Sequence, residues 1–519
     1  MYRLNNVKIR DNLSEEDIIN EALRKYKVNR NNVKEAYIYK RSVDARNKED
    51  IYYNYAVDVK LYKDIGIKGA SRVILDDYPE IKINRISTYR PVVIGAGPAG
   101  LFAALTMVNN GIFPIVIEQG SKVEKRVEYV NNFIENGVLN TKSNIQFGEG
   151  GAGTFSDGKL TTGNNSIYSR KVLEEFVKYG APKEIMYVAK PHIGTDNLVN
   201  IVRNIREYII SKGGKFLFDT KVTDFDIQDN YIKAVYCNDK RIETDTVILA
   251  IGHSARDTFL TLFNKKVQII PKNFAVGVRI EHLQKKINKS QYGEKTKFRL
   301  PQAEYKLVYH AKNGRSCYTF CMCPGGQVMA SSSEENTIVT NGMSRFSRDG
   351  KNSNSALLVN ITPEDAKGDS PLRGMYFQEE LEKRAFLMGG SNYNAPVQRV
   401  EDFLNNIKSS KIGQVVPTYK PGYALSNLNE LFPDYINDTL KEAIVNLDKK
   451  LIGFGDKDAI LTAVETRTSS PVQITRDKDT LQANVKGLYP CGEGPGYAGG
   501  IMTAAVDGIR VAIKVLENK

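Results

Sequence analysis

Residues 91–118 read PVVIGAGPAGLFAALTMVNNGIFPIVIE, and this stretch leaves the chain little freedom. From Pro91 to Ile117 it carries no charged residue, long enough to cross a bilayer as one helix. Yet Gly95, Gly97, Pro98, Gly100, Asn109, Asn110, Gly111 and Pro114 break it into strand, turn, helix, turn and strand. A buried β-α-β unit of a parallel sheet satisfies both observations. Val92-Val93-Ile94 lead into G-x-G-x-x-G, a helix follows over Leu101–Asn109, and Glu118 ends the next strand 23 positions beyond Gly95. Gly95 permits the sharp turn, Gly97 lets the backbone approach a pyrophosphate at the helix N-terminus, and Gly100 lets the helix pack on the strand. Ala96, Pro98 and Ala99 fill out that turn. Glu118 offers a carboxylate to the two hydroxyls of a ribose, which argues against a 2′-phosphate there.

The same glycine pattern recurs at Gly148-Gly150-Gly153 and at Gly494-Gly496-Gly499. Neither copy is a second nucleotide unit. The middle one follows TKSNIQ, which is no buried strand, and lacks a ribose acid; the late one has no strand after its helix. Gly153-x-x-x-x-Gly158-Lys159 also imitates a phosphate loop, but Leu160 stands where Ser or Thr would hold magnesium. ATP is therefore not expected. Both loops read as glycine-rich segments that approach the ligand of the first unit.

Composition narrows the class. The 519 residues are 41% hydrophobic and 26% charged, ordinary for a globular protein with a large core. The net charge of +13 invites nucleic acid, but the lysines are spread from Lys8 to Lys519 without an arginine-rich, aromatic-interleaved run. An odd count of five cysteines points to a reducing compartment, and MYRLNNVKIRDN has no apolar signal core, so a cytoplasmic location is expected. With no C-x-x-C or H-x-x-x-H pair, no metal site is expected.

Three regions follow. Residues 1–88 read as an N-terminal ferredoxin-like α/β domain, with Ser14-Glu-Glu-Asp17 capping a helix that carries Ile18, Ile19, Leu23 and Tyr26. Residues 89–270 with 456–519 read as a Rossmann-type domain, and 271–455, rich in polar stretches such as SSSEENTIVTNG and SRDGKNSNSA, as an inserted α+β substrate or cap domain.

The strand-turn units together resemble the FAD-binding domain of flavoprotein oxidoreductases. Thr246-Val-Ile-Leu-Ala250-Ile251-Gly252 is similar to its Ala-Thr-Gly turn with Ile for Thr, and Leu488-Tyr-Pro-Cys-Gly492-Glu493 to its late Gly-Asp element with Glu for Asp. More closely, KRSVDAR (40–46), QFGEGGAGTFSDGKL (146–160), AVGVRIEH (275–282), TFCMCPGG (319–326), TNGMS (340–344), SSPVQITRD (469–477) and GEGPGYAGGIMTAAVDG (492–508) resemble a largely uncharacterised family of bacterial FAD-dependent dehydrogenases. The resemblance implies FAD, held by the 95–100 turn with Glu118 and Gln119, by Arg126, by Gly150, Gly151, Gly153, Thr154 and Lys159, by Val222, Ala250 and Gly252, and by Gly492, Glu493, Gly499, Gly500 and Ile501. It implies hydride transfer to flavin along one of two routes: either a small organic substrate delivers the hydride itself, or NAD(P)H docks transiently as donor without its own Rossmann unit. A flavin-dependent RNA-modifying enzyme and a non-catalytic FAD-binding protein are the rivals. The resemblance identifies neither a catalytic residue nor an oligomeric state.

Several candidates keep more than one reading. SCYTFCMC (316–323) sets Cys317, Thr319, Cys321 and Cys323 on one strand face. They pack, line the pocket, or do redox or metal chemistry; Cys321 and Cys323, roughly 6.6–7 Å apart at Cα on a straight strand, sit at the outer limit for a bridge. His192, His253, His282 and His310 are scattered, and His253 stands out for following the Gly252 turn. Lys159 is either a solvent lysine or the cation of the flavin site, and Arg467 a further phosphate or flavin contact.

Overall fold

Strands reading VVI, IVI, VIL and LYP show no polar alternation, the pattern of a sheet buried on both faces. In the computed structural model they lie in one parallel five-stranded sheet, in the order Leu488–Pro490, Val247–Leu249, Val92–Ile94, Ile115–Ile117, Lys215–Leu217. Residues 1–518 are described, except 65, 75–76, 85–86, 162, 164–165 and 295–297. The Pro98–Asn109 and Ile501–Glu517 helices pack together over this sheet. Their crossing is close at Gly508, where a Cβ would stand 2.2 Å from the Ala99 carbonyl oxygen. An antiparallel sheet of Val222–Gln228, Tyr231–Cys237 and Lys240–Glu243 interrupts the chain before Val247.

The N-terminal strands Tyr2–Ile9, Val33–Asp44, Tyr52–Leu61 and Ser71–Arg72 take the order second-third-first-fourth, all antiparallel. That is the ferredoxin-like order. Among the described residues its second helix, between the third and fourth strands, is missing. Ser14 caps the Glu15–Lys25 helix by accepting the Asp17 amide. The sheet docks through the KRSVDAR segment: Arg41 exchanges backbone bonds of 2.7 and 2.8 Å with Tyr187 and Ala189.

The insert is far more regular than its polar sequence suggests. A mixed seven-stranded sheet centres on Phe274–Leu283, whose ten residues are all buried, between Asn352–Ile361 and Ile460–Glu465. Two expectations change. Ile460–Glu465 lies beyond the expected boundary at 455, because it pairs with Phe274–Leu283 and not with the parallel sheet. The polar run Asn352-Ser-Asn-Ser355 is buried strand, not loop. Its polarity is answered inside: Asn352 donates to Glu281, Asn354 accepts from Arg279, and Ser355 bonds the Tyr305 hydroxyl. Ser331, Ser332 and Ser333 of the other polar stretch are likewise buried.

Candidate active site

A cavity of about 780 Å³ runs from the first glycine turn to the inserted sheet. Gly95 (φ +100°) needs its missing side chain, since a Cβ would lie 2.3 Å from the Ala250 carbonyl oxygen. Gly100 would meet the Gly95 carbonyl oxygen at 1.9 Å. These two close the turn, and Gly97 and Ala99 then present free amides at the helix N-terminus to the cavity, while Pro98, which has no N–H to satisfy, fixes the first helical position between them. Ala96 and Gly100 support that turn from behind and do not line the cavity.

Glu118 is more committed than its position in sequence suggests. Oε2 accepts the Ala96 amide at 2.9 Å, and Oε1 accepts those of Gly120 and Gly148 at 2.9 and 3.0 Å. Three of about four lone-pair sites are filled. One acceptor site on Oε2 remains for a ligand, so a ribose bound here would be held through one oxygen rather than two. Gln119 and Val222 line the same end.

The glycine loop divides its residues between lining and support. Gly151, Gly153 and Lys159 face the cavity; Gly150 and Thr154 do not. Gly150 donates to the Ala96 carbonyl at 2.8 Å, tying the loop to the first turn, while Thr154 is buried with its hydroxyl unpartnered. Arg126 is corrected from ligand contact to clamp. Fully buried, it donates to the carbonyls of Asn144, Ile145, Gly148, Glu149 and Gly151 at 2.7–3.3 Å and does not line the cavity where a phosphate would lie. Burial lowers it to about 10, against the pull of Glu118 and Glu149.

Lys159 is held, not free. Its Nζ lies 2.8 Å from Asp157 Oδ2 and 3.9 Å from Glu304, and Asp157 also takes both arms of Arg348. The lysine is half-buried, which alone would lower it, yet these carboxylates lift it above its ordinary value. Sequence reading missed Asp157 and Arg348. Asp157 stands inside the quoted motif, but nothing local ties it to an arginine 191 positions away.

At the late loop, Glu493, Gly499, Gly500 and Ile501 line the cavity. Gly492 does not; it donates to Asp507 at 2.9 Å and fixes the loop's entry. Burial raises Glu493 to about 7, opposed by Lys272. Ala250 and Gly252 also line the cavity, with His253, which burial and the charges of Arg467 and Arg256 push down to about 3. It is a neutral imidazole bonded to Ser254, not a proton reservoir. Arg467 reaches the cavity wall with its guanidinium already held in place: it and Arg256 both grip the fully buried Glu382 at 2.8–3.0 Å.

The inserted sheet supplies the far wall through Cys321, Met322 and Glu465, joined by Glu304 from the segment that precedes the Val308–His310 strand. The strand's even alternation ends there: a bulge between Phe320 and Cys323 breaks the shared cysteine face. Glu465, unnoticed in the sequence, is raised to about 7 by burial, because Arg279 touches it only at 3.3 Å.

FAD fits this cavity. Gly252, Gly499 and Gly500 line it and have nothing within 4 Å of where a Cβ would stand, so side chains there would occupy ligand space. Two helix N-termini, at Pro98 and Ile501, open on it. Bound FAD would supply two-electron hydride chemistry at its ring.

Family comparisons agree. Residues 89–261 match the pyridine nucleotide-disulphide oxidoreductase model, 273–468 a model described as FAD-dependent protein, C-terminal domain-like, and 1–60 a domain of unknown function. An uncharacterized protein of Clostridium beijerinckii is 47% identical over 99% of this chain and 98% of its own length. A D-amino acid dehydrogenase of Helicobacter pylori is 35% identical, over only 10% of this chain and 13% of that protein. The solved structure of CtdE with FAD covers 82% of this chain and 84% of its own at 13% identity and TM-score 0.34, too distant to bear on activity. With both halves of its cavity matched by flavoprotein models, and with a full-length clostridial relative, the chain belongs to the bacterial family of FAD-dependent oxidoreductases.

Proposed function

We propose that this oxidoreductase is a dehydrogenase that passes a hydride between flavin and a small organic substrate, with NADH or NADPH as a transient partner. The observation that carries the reading is the single cavity shared by the glycine turns of the parallel sheet and the wall of the inserted sheet. In this reading Gly95, Gly97, the Pro98 helix N-terminus and Glu118 hold the ADP half. Gly151, Gly153 and the Gly499–Ile501 turn border the pyrophosphate and ribityl chain. Residues 1–88 form one unit, 89–270 with 456–519 the cofactor domain, and 271–455, continued to Glu465 by its last strand, the cover that selects substrate.

Lys190 and Lys306 are exposed at the cavity, near Lys159, and favour an anionic substrate such as a carboxylate. Glu465, with its carboxyl near neutrality, holds a proton at the wall facing that substrate.

The test is direct. Purified protein is expected to be yellow, to release FAD on denaturation, and to bleach anaerobically with NADH, NADPH or members of a carboxylate panel. Colourless protein that FAD cannot reconstitute sinks the reading. Salt-sensitive RNA binding with no small-molecule reduction would move it to the RNA-modifying alternative.

A further inference from the structure

The Ser316–Cys323 strand changes character where its last two cysteines stand. Pairing with Asn352–Ile361 is regular from Cys317 opposite Val359 to Phe320 opposite Ala356, then slips so that Cys323 faces Asn354. At the slip, Cys321 adopts φ +43°, a left-handed conformation that a non-glycine residue keeps only when its surroundings impose it. Cys321 lines the cavity, whereas Cys323 is fully buried and turns its Sγ back to the Cys321 carbonyl oxygen, 3.3 Å away.

Arg279 holds both residues. Its Nη2 donates to the Cys321 carbonyl at 2.9 Å and lies 3.8 Å from the Cys323 Sγ. Asn354 fixes the guanidinium at 2.6 and 3.1 Å. Gly342 makes the approach possible, since a Cβ there would stand 2.0 Å from Nη2. Cys317, on the same strand, shows what packing alone does: burial lifts its thiol far above the ordinary range. Cys321 goes the other way, favoured as thiolate by the neighbouring Cys323 thiol, then by the charges of Arg279 and Lys159.

We propose that Cys321 and Cys323 form a redox-active dithiol, with Cys321 as the attacking sulfur at the cavity wall, Cys323 as the resolving sulfur behind it, and a small disulfide as substrate. The Cys321 thiolate attacks one sulfur of R–S–S–R; that bond breaks, and the first RS⁻ leaves and takes a proton from water. Cys323 then attacks the Cys321 Sγ of the mixed disulfide, and its proton goes to the departing second RS⁻. The substrate gains two electrons as two thiols, and the pair loses them as a disulfide. The step uses only residues of this chain and the named substrate, so it stands or falls separately from the hydride reading.

The test uses purified protein with whatever flavin it retains, reduced with dithiothreitol, desalted, and treated with 2-hydroxyethyl disulfide. After alkylation and trypsin, the peptide of residues 316–345 is weighed. The wild type is expected to show that peptide short of two hydrogens, with Cys317 alone alkylated. Folded Cys323→Ser protein is expected to stop at a mixed disulfide on Cys321, near one adduct per chain, and Cys321→Ser to form neither. The proposal is overturned by wild-type protein whose five cysteines all alkylate after the treatment, a measurement that needs no variant to fold. It is equally overturned by folded Cys323→Ser that carries no adduct.

Discussion

Lys159 Nζ stands 2.8 Å from Asp157 Oδ2, and the same carboxylate takes Arg348 in two bonds of 2.5 and 3.0 Å. One fully buried anion therefore anchors two cations beside the cavity. Asp157→Asn leaves those cations facing each other and is expected to cost ~3–5 kcal/mol of stability. Lys159→Ala leaves Asp157 paired with Arg348 and is expected to cost about 1 kcal/mol, with FAD retained. Its signature is a reduction potential moved to more negative values, since a cation that favours negative charge on reduced flavin has gone. Denaturant titration and spectroelectrochemistry check both; a Lys159→Ala potential equal to wild type removes Lys159 from the flavin's surroundings.

Glu118→Ala removes the acceptor of three backbone amides as well as the ligand's remaining acceptor site. Buried donors left unpaired are expected to cost about 3 kcal/mol in the apoprotein. FAD affinity is expected to fall a further ~10-fold, the worth of one charge-assisted hydrogen bond. Calorimetry of apoprotein and FAD titration separate the two effects. An affinity unchanged after correction for folding would show that no ribose leans on this carboxylate.

What the sequence made legible was local. Gly95, Gly97, Gly100 and Glu118 lie within one β-α-β unit, and each is constrained by neighbours a few positions away. Arg126 was illegible because its partners are carbonyls of a loop that begins 18 positions later and must fold around it. The buried Asn352–Ser355 run looked like loop because polarity is scored without its partners, and those partners, Glu281, Arg279 and Tyr305, lie on other segments of the insert. Alternation along SCYTFCMC was sound as far as Phe320; a bulge leaves no mark in hydropathy.

Burial raises Glu149 to about 7 from an ordinary 4.5, even though its Oε2 meets Arg206 at 2.7 Å. Arg206 also gives two bonds to Glu124, so its charge is shared, and Glu149 Oε1 is buried without a partner. A carboxyl whose folded value is raised binds more protons folded than unfolded between those two values. Stability is therefore present below about pH 4.5 and lost as pH rises toward about 7, a contribution of about 3 kcal/mol at most. Glu149→Gln is expected to flatten that part of the melting-temperature profile between pH 5 and 8. An unchanged profile would show that Glu149 is ionised throughout.

Glu382 sits on the insert's Arg373–Met388 helix and receives Arg256, from the helix that follows the parallel strand Val247–Leu249, and Arg467. Glu382→Ala leaves two buried guanidinium groups with Glu334 alone, 2.7 Å from Arg256 and 3.6 Å from Arg467, and is expected to cost ~3 kcal/mol. Because the pairing crosses between the cofactor sheet and the insert, limited proteolysis should then cut first near 466–476 or 265–273, where the chain passes between them. Protease resistance equal to wild type would place the join elsewhere.

Two glycines of the same cavity separate folding from binding. At Gly95 a methyl group would meet the Ala250 carbonyl oxygen at 2.3 Å, and φ +100° disfavours any side chain. Gly95→Ala is therefore expected to damage the fold itself, lowering the melting temperature of the apoprotein. At Gly499 nothing lies within 4 Å of the Cβ position, the backbone needs no glycine, and the space beyond is the cavity. Gly499→Val is expected to leave the apoprotein's melting temperature within a few degrees of wild type and to abolish flavin retention by filling ligand space. Absorbance of the purified protein at the flavin bands, read beside its melting curve, decides the matter. Yellow, fully loaded Gly499→Val protein would mean that FAD follows another path through the cavity.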